Sequence, residues 1–517
     1  MSVRGGAPAT LRYLGLFLLA CACSRAAPPG AELDPGLELV WQPTASAALR
    51  SGSTPKPTAG LGTADDNLPF VPSGEKIGSI AWRTWIYTDT GPRRTRLGYL
   101  RAGAVVDGRG PAIENDGCEG GWYRINPRGF VCIGKGATTD LSHPLLVALA
   151  KRPVRGAGFP YAYAKSLDRP PDRYFKLPSM RQMAEVEGEA VADRAAQFRL
   201  RAEQSGLAAK LGLTDELPAF LAPGVALEKP YGVRMPERRE VSAGRASPDS
   251  GFSLVDAFYW EGRAFGLTSE LDLIPLDRSR VVVDTEFRGL ELGAGRALPV
   301  AFHVKGALTI WKGDPGAGFS PSAEIHMQRG FFLSGRKSKG LYETSDGAWI
   351  PEPGLVVIQP RDGFPSVATG NRRWIDISIK DQTLVAYVGK TPVYATLISA
   401  GRGGLGPKEE SNPDGERTVR GTFMIFDKAI SATMDGDEDR ADSYDLSDVP
   451  FVQYFHRGFA LHGAYWHHEF GRARSHGCIN LASWDAAWLF EWTDPQVPEG
   501  WHGVLNKERG TVVVVGY

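Results

Sequence analysis

A chain of 517 residues exceeds what one hydrophobic core supports and predicts roughly three or four folded units joined by linkers. Hydrophobic residues at 42% and charged residues at 23% are ordinary for a soluble globular protein. Lys+Arg equals Asp+Glu at 59 each, so no basic excess attracts a phosphate backbone and no nucleic-acid partner is expected.

At the start of the chain, Arg4 and Arg12 precede a short apolar run from Tyr13 to Ala20. The run is too brief to span a bilayer as a helix and predicts an export signal over residues 1–23. It ends in Leu18-Leu19-Ala20-Cys21, which resembles the lipobox of bacterial lipoproteins. The resemblance implies that Cys21 is acylated, that a membrane is a partner through this N-terminal lipid anchor, and that the protein works in the periplasm or cell envelope. Plain secretion after cleavage near Ala22 is the alternative. Residues 24–75, rich in Pro, Ala, Gly, Ser and Thr, predict a disordered linker.

Beyond the signal only Cys118, Cys132 and Cys478 remain. In an oxidising compartment Cys118 and Cys132, which flank a hairpin-like segment, predict a disulfide contributing about 3 kcal/mol. Cys478 is left unpaired, either buried and inert or kept free for reaction.

Residues 76–140 alternate short apolar runs with turns and predict a small β-barrel. Its closing Gly121-Trp-Tyr and Gly129-Phe-Val pair resembles bacterial SH3-like domains. Residues 141–250 predict a helical and irregular connection: Met180, Met183, Val186, Ala190, Val191, Ala195 and Phe198 follow one helical stripe, and a second short helix is expected over Asp215–Leu221. Residues 251–370 are β-rich, with room for further SH3-like units. The last unit, 372–517, opens with an alternating hairpin, Trp374–Lys380 and Thr383–Val388. Further strands follow, with one helix over Ser483–Trp492. The predicted class is mostly β and multidomain.

Five of the nine histidines (His456, His462, His467, His468, His476) cluster near Cys478. A metal site would need converging ligands, yet no Cys-x-x-Cys or His-Glu-x-x-His is present, and no metal or other cofactor is expected. Asp435-Gly-Asp-Glu-Asp439 starts like a calcium loop, but has Leu446 where a bidentate glutamate belongs, and predicts a solvated acidic loop. The alternative is nucleophilic: Gly477 lets backbone approach a substrate, and a helix just beyond Cys478 helps aim N–H groups there.

His462-Gly463, then Ser475-His476-Gly477-Cys478-Ile479-Asn480, resembles the signature of the YkuD-type L,D-transpeptidases, and the hairpin from Trp374 resembles the opening of their catalytic domain. The resemblance covers about residues 372–517. It implies a β-rich catalytic domain that cross-links peptidoglycan peptide stems through a cysteine thioester. Cys478 would be the nucleophile and His462 its base. Backbone N–H groups near Gly477 and Cys478 would hold the oxyanion, and Ser475, His476, Asn480 and Gly463 would order the loop or contact substrate. Water as acceptor would make an L,D-carboxypeptidase, and a protein lysine would make an anchoring enzyme. A non-catalytic wall-binding scaffold lipoprotein is the alternative of another class.

Overall fold

The computed structural model describes residues 74–516 except 157, 234, 409–415 and 436–444. The signal segment with Cys21, nearly all of the 24–75 linker and most of the Asp435–Asp439 loop lie outside the described residues. The rest is mostly β, with strands holding 44% of the chain and helices 11%.

The C-terminal part is two sheets and one helix. Arg373–Ser378 and Thr383–Val388 form the expected hairpin, in full register from Arg373↔Val388 to Ser378↔Thr383. Its turn puts Gln382 at φ 54, and the side chain makes that left-handed residue useful: Nε2 donates to Ile379 O and Oε1 accepts from Ala400 N. The chain returns at the end to lay Val512–Gly516 parallel to the first hairpin strand, so a run of valines becomes the sheet centre. Buried there on both faces, these β-branched side chains need no polar alternation.

The second sheet holds Asp427–Asp435, Asp445–His456, Phe459–Gly463, Ile479–Leu481 and Gly503–Leu505. One core cluster joins the two sheets: Ile375, Ile377 and Val513 from the first meet Phe455, Leu461 and Ile479 from the second. Between them lies the helix Ser483–Trp492, found where the sequence placed it, with Ala486, Ala487, Leu489 and Phe490 buried. Its C-terminal end is closed by a buried lysine: Lys428 Nζ donates to Phe490 O at 2.6 Å, Thr493 O at 2.8 Å and Thr493 Oγ1 at 3.0 Å. Those carbonyls are among the groups a helix end leaves without partners. Lys428→Met keeps the volume but strands Phe490 O, while Thr493 O keeps its bond from Gln496 Nε2, and is expected to destabilise by about 2 kcal/mol in chemical denaturation.

Upstream strands continue the second sheet. Arg96–Leu100 pairs with Gly503–Leu505 through Gly98↔Val504 and Tyr99↔Gly503. The seam is close enough that a Cβ on Gly98 would lie 2.2 Å from Gly503 O. Gly251, which opens the strand Gly251–Trp260, bridges Leu446 in parallel. Behind this junction sits the fully buried carboxylate of Asp448. It takes the Arg101 guanidinium at 2.9 Å, the hydroxyls of Ser253 at 2.8 Å and Ser431 at 2.7 Å, and that of Ser269. Burial pushes this carboxyl up, but Arg101 and the hydroxyl donors outweigh it and hold it below the usual range.

Strands between Lys76 and Thr138 pair among themselves, with Cys118 and Cys132 joined as a disulfide. A separate seven-stranded sheet is built wholly from residues 300–358. The single helix expected through Phe198 is two, Met180–Glu187 and Val191–Gln204, because Gly188 at φ 92 ends the first. The short helix expected over Asp215–Leu221 is absent, since Pro218 sits inside it and lacks the N–H a helix interior needs. A short helix lies earlier instead, at Leu207–Leu211.

Candidate active site

Phe459–Gly463 and Ile479–Leu481 run parallel, with His462 opposite Asn480 and Leu461 opposite Ile479. Strand alternation then decides which side chains meet. Leu461 and Ile479 enter the core, so His462, Asn480 and Cys478, two residues before Asn480, turn to the other face. All three line one cavity of about 430 Å³, with Ser475, His476, His467 and Trp466.

The loop carrying Cys478 is strapped down by the segment after the strand Thr391–Leu397. Arg474 N and Ser475 N both donate to Ala400 O, Arg402 N donates to Ser475 O, and Ser399 and Asn480 exchange two backbone bonds. Gly477 stands at φ 129, a conformation that strains any residue with a Cβ. Its carbonyl accepts from Thr418 Oγ1 at 2.9 Å. Ser475 Oγ accepts from Gly477 N at 3.0 Å and donates to Cys478 O at 2.5 Å. Ser475 is therefore a loop-ordering residue, and the Gly477 N–H is engaged by it rather than free for an oxyanion. Gly463 has little room, with Pro450 Cβ 3.1 Å and Ala486 Cβ 3.4 Å from any added Cβ. His476 Nε2 lies 2.9 Å from an Arg402 guanidinium nitrogen, which can only donate.

The state of the two central groups follows from their surroundings. His462 is buried, and burial pushes its pKa down to about 4 despite the bond to Gly463. Its Nδ1 is 3.1 Å from Gly463 O, which accepts, so the proton sits on Nδ1 and the Nε2 lone pair is free. Burial pushes the Cys478 thiol up to about 11, with only the Ala460 backbone bond opposing. At neutral pH the pair rests as neutral thiol and neutral imidazole. Any attack by the Cys478 sulfur would therefore have to be accompanied by its deprotonation.

The orientation of the Asn480 amide is decided by its neighbours. Its Nδ2 position lies 3.0 Å from His467 Nε2, and its buried Oδ1 has no hydrogen-bond partner. Glu469 N donates to His467 Nδ1, and burial pushes His467 down to about 3, so this imidazole is neutral with its proton on Nε2. Two donors cannot share that contact. Exchanging the amide's O and N turns the His467 contact into a hydrogen bond and leaves the buried Asn480 amino group without a partner.

The remaining cavity wall escaped sequence reasoning. Arg474 and Trp466 lie near the motif in the chain, but Arg402 follows the strand Thr391–Leu397, and Lys165 and Asp249 come from far upstream, in a strand and in a turn. Nothing local announces them. Among the described residues, no group of three or more His, Cys, Asp or Glu side chains could hold a metal ion. No helix of the described residues is long and apolar enough to cross a membrane.

Residues 372–515 match the YkuD family model, described as the L,D-transpeptidase catalytic domain. No curated protein matches the chain. Among solved structures, a mutant of the Enterococcus faecium L,D-transpeptidase is 22% identical over 28% of this chain and 50% of its own, with a TM-score of 0.21. This chain thus spans half the length of that protein. The catalytic domain of the E. faecium enzyme is 24% identical over 28% of this chain and 98% of its own, at 0.21. L,D-transpeptidase 3 from Mycobacterium tuberculosis is 20% identical over 33% and 74%, at 0.23.

Proposed function

We propose that the L,D-transpeptidase catalytic domain at residues 372–515 works as a cysteine acyltransferase on peptidoglycan peptide stems. The observation that carries this is the convergence of Cys478 and a neutral His462, with its Nε2 lone pair free, on one cavity. In the first half-reaction Cys478 Sγ bonds to the carbonyl carbon before the terminal residue of the stem, and its proton passes to His462 Nε2. The amide C–N bond then breaks, and the departing amine takes that proton. In the second, an amine of another stem attacks the thioester carbonyl, gives its proton to His462, and the C–S bond breaks to restore the thiol. Water in the second half-reaction gives the carboxypeptidase outcome, and a protein lysine gives anchoring.

Around this centre we place an exported, lipid-anchored protein, with Cys21 as the acylated residue and an SH3-like unit over 76–140. The lipobox-like sequence supports the first, and the mutual pairing of the strands from Lys76 to Thr138 supports the second.

The test is incubation of the purified protein with tetrapeptide stems, followed by mass spectrometry for released terminal residue and dimers, repeated across pH. Because His462 must be neutral and its pKa is depressed, activity is expected to hold from pH 7 to about 5.5 and fall only as pH drops through about 4. Loss centred at pH 6.5 would contradict the buried-base assignment. Absence of any product at every pH would remove the enzyme reading.

A further inference from the structure

One wall of the Cys478 cavity lies outside residues 372–515. Lys165, from the strand Ala162–Ser166, and Asp249, just before Gly251–Trp260, line it together with Cys478 and His462. Their position is fixed by packing. Lys165 is in register with Gly251, which itself bridges Leu446. Two residues earlier, the Tyr163 ring stacks on Tyr465 at 4.2 Å and its hydroxyl donates to Asp448 O at 2.6 Å. A Cβ on Gly251 would lie 2.1 Å from the Tyr465 hydroxyl, so the two parts are in direct contact there.

The charges on this wall are unequal. Lys165, Arg402 and Arg474 line the cavity, and Asp249 is the only carboxylate among the described residues that line it. Arg402 pairs with Glu416 and Arg474 with Glu469, both outside the lining. Lys165 Nζ pairs with Asp249 at 2.7 Å, but the lysine side chain is 19% exposed and the aspartate 76%. Water screens that carboxylate, so it is a weakly held counter-ion. An ammonium has three donors, and a better-buried carboxylate entering the cavity competes well for them.

We propose that Lys165 binds the C-terminal carboxylate of the donor peptide, displacing Asp249, and so makes the upstream strands a specificity element of the site. The ligand class is a peptide whose free carboxylate lies one residue beyond the bond attacked by Cys478. The inference rests on the acyl-transfer reading above, and its test separates the two.

Binding is measured by calorimetry with the full chain carrying Cys478→Ala, using a tetrapeptide stem and the same peptide with its C-terminus amidated. The carboxylate form is expected to bind about ten-fold tighter, and Lys165→Met is expected to abolish that preference while leaving amide binding unchanged. Asp249→Ala frees the lysine at an exposed position and is expected to widen the preference a few-fold. A preference that survives Lys165→Met, an equal loss of both peptides, or no preference in the parent each overturns the proposal. Failure of the acyl-transfer reading appears separately, as a wild-type protein that forms no thioester while the binding preference persists.

Discussion

Cys478→Ala is expected to abolish acyl transfer, lowering kcat by about four or more orders of magnitude. In the proposed reaction, removing the atom that forms the covalent intermediate leaves only positioning and hydrogen bonding to lower the barrier. The thiol is pushed up to about 11, so little thiolate exists at neutral pH, and the reaction depends on proton transfer to His462 during attack. Among the described residues that line the cavity, the one hydroxyl side chain is Ser475, and its Oγ is committed to Gly477 N and Cys478 O. Intact mass after incubation with donor peptide checks this directly. Wild type should gain the acyl mass and Cys478→Ala should not, while its unfolding midpoint stays close to wild type because the change is small. An acyl adduct on the alanine variant would move the nucleophile elsewhere.

The second large effect is on stability. Asp448→Asn keeps the shape of the side chain but removes the charge opposite Arg101, whose side chain is only 7% exposed. Breaking a buried pair from one side leaves an uncompensated ion, and the expected cost is about 3–5 kcal/mol. The double replacement Arg101→Met with Asp448→Asn should recover part of it, because no ion then remains buried and the amide oxygen still accepts from the serine hydroxyls. Thermal or chemical unfolding of the full chain measures both, and Asp448→Asn within about 1 kcal/mol of wild type would refute the account. The damage should reach the active site as well. Ser447 O accepts from Tyr465 and Leu446 lines the cavity, so a loosened Asp448 is expected to raise KM for donor peptide.

These two residues also divide what the sequence reveals. That Cys478 and His462 share one cavity was legible because the motif pairs particular residue types at a particular spacing. The hairpin from Arg373 and the helix Ser483–Trp492 were legible because their patterning is local. Asp445–His456 was not, although it is long and buried along nearly its whole length. It carries Ser447, Asp448, Pro450 and Gln453, which no strand pattern favours. Their partners explain why most are tolerated: Asp448 meets Arg101, Ser253 and Ser269, and Gln453 Oε1 accepts from Thr493 at 2.5 Å, although Gln453 Nε2 is left without a partner. Such satisfaction is a property of distant parts of the chain, invisible to any short window. Lys165 and Asp249 were missed for the same reason. The break at Gly188 was missed because one glycine hardly disturbs an apolar stripe.

The seam between Arg96–Leu100 and Gly503–Leu505 bears on how the protein can be divided. Gly503–Leu505 has a ladder partner on each side, Asp427–Asp435 on one and the upstream strand on the other. Cutting the chain at the start of the recognisable family match would turn that inner strand into an open edge, and unpaired edges recruit other chains. It would also bare the ring of Tyr465 that Tyr163 covers. The segment that carries the family signature and the segment that can stand alone in water are therefore different lengths of chain, and the upstream strands serve as the cover that keeps the sheet from growing.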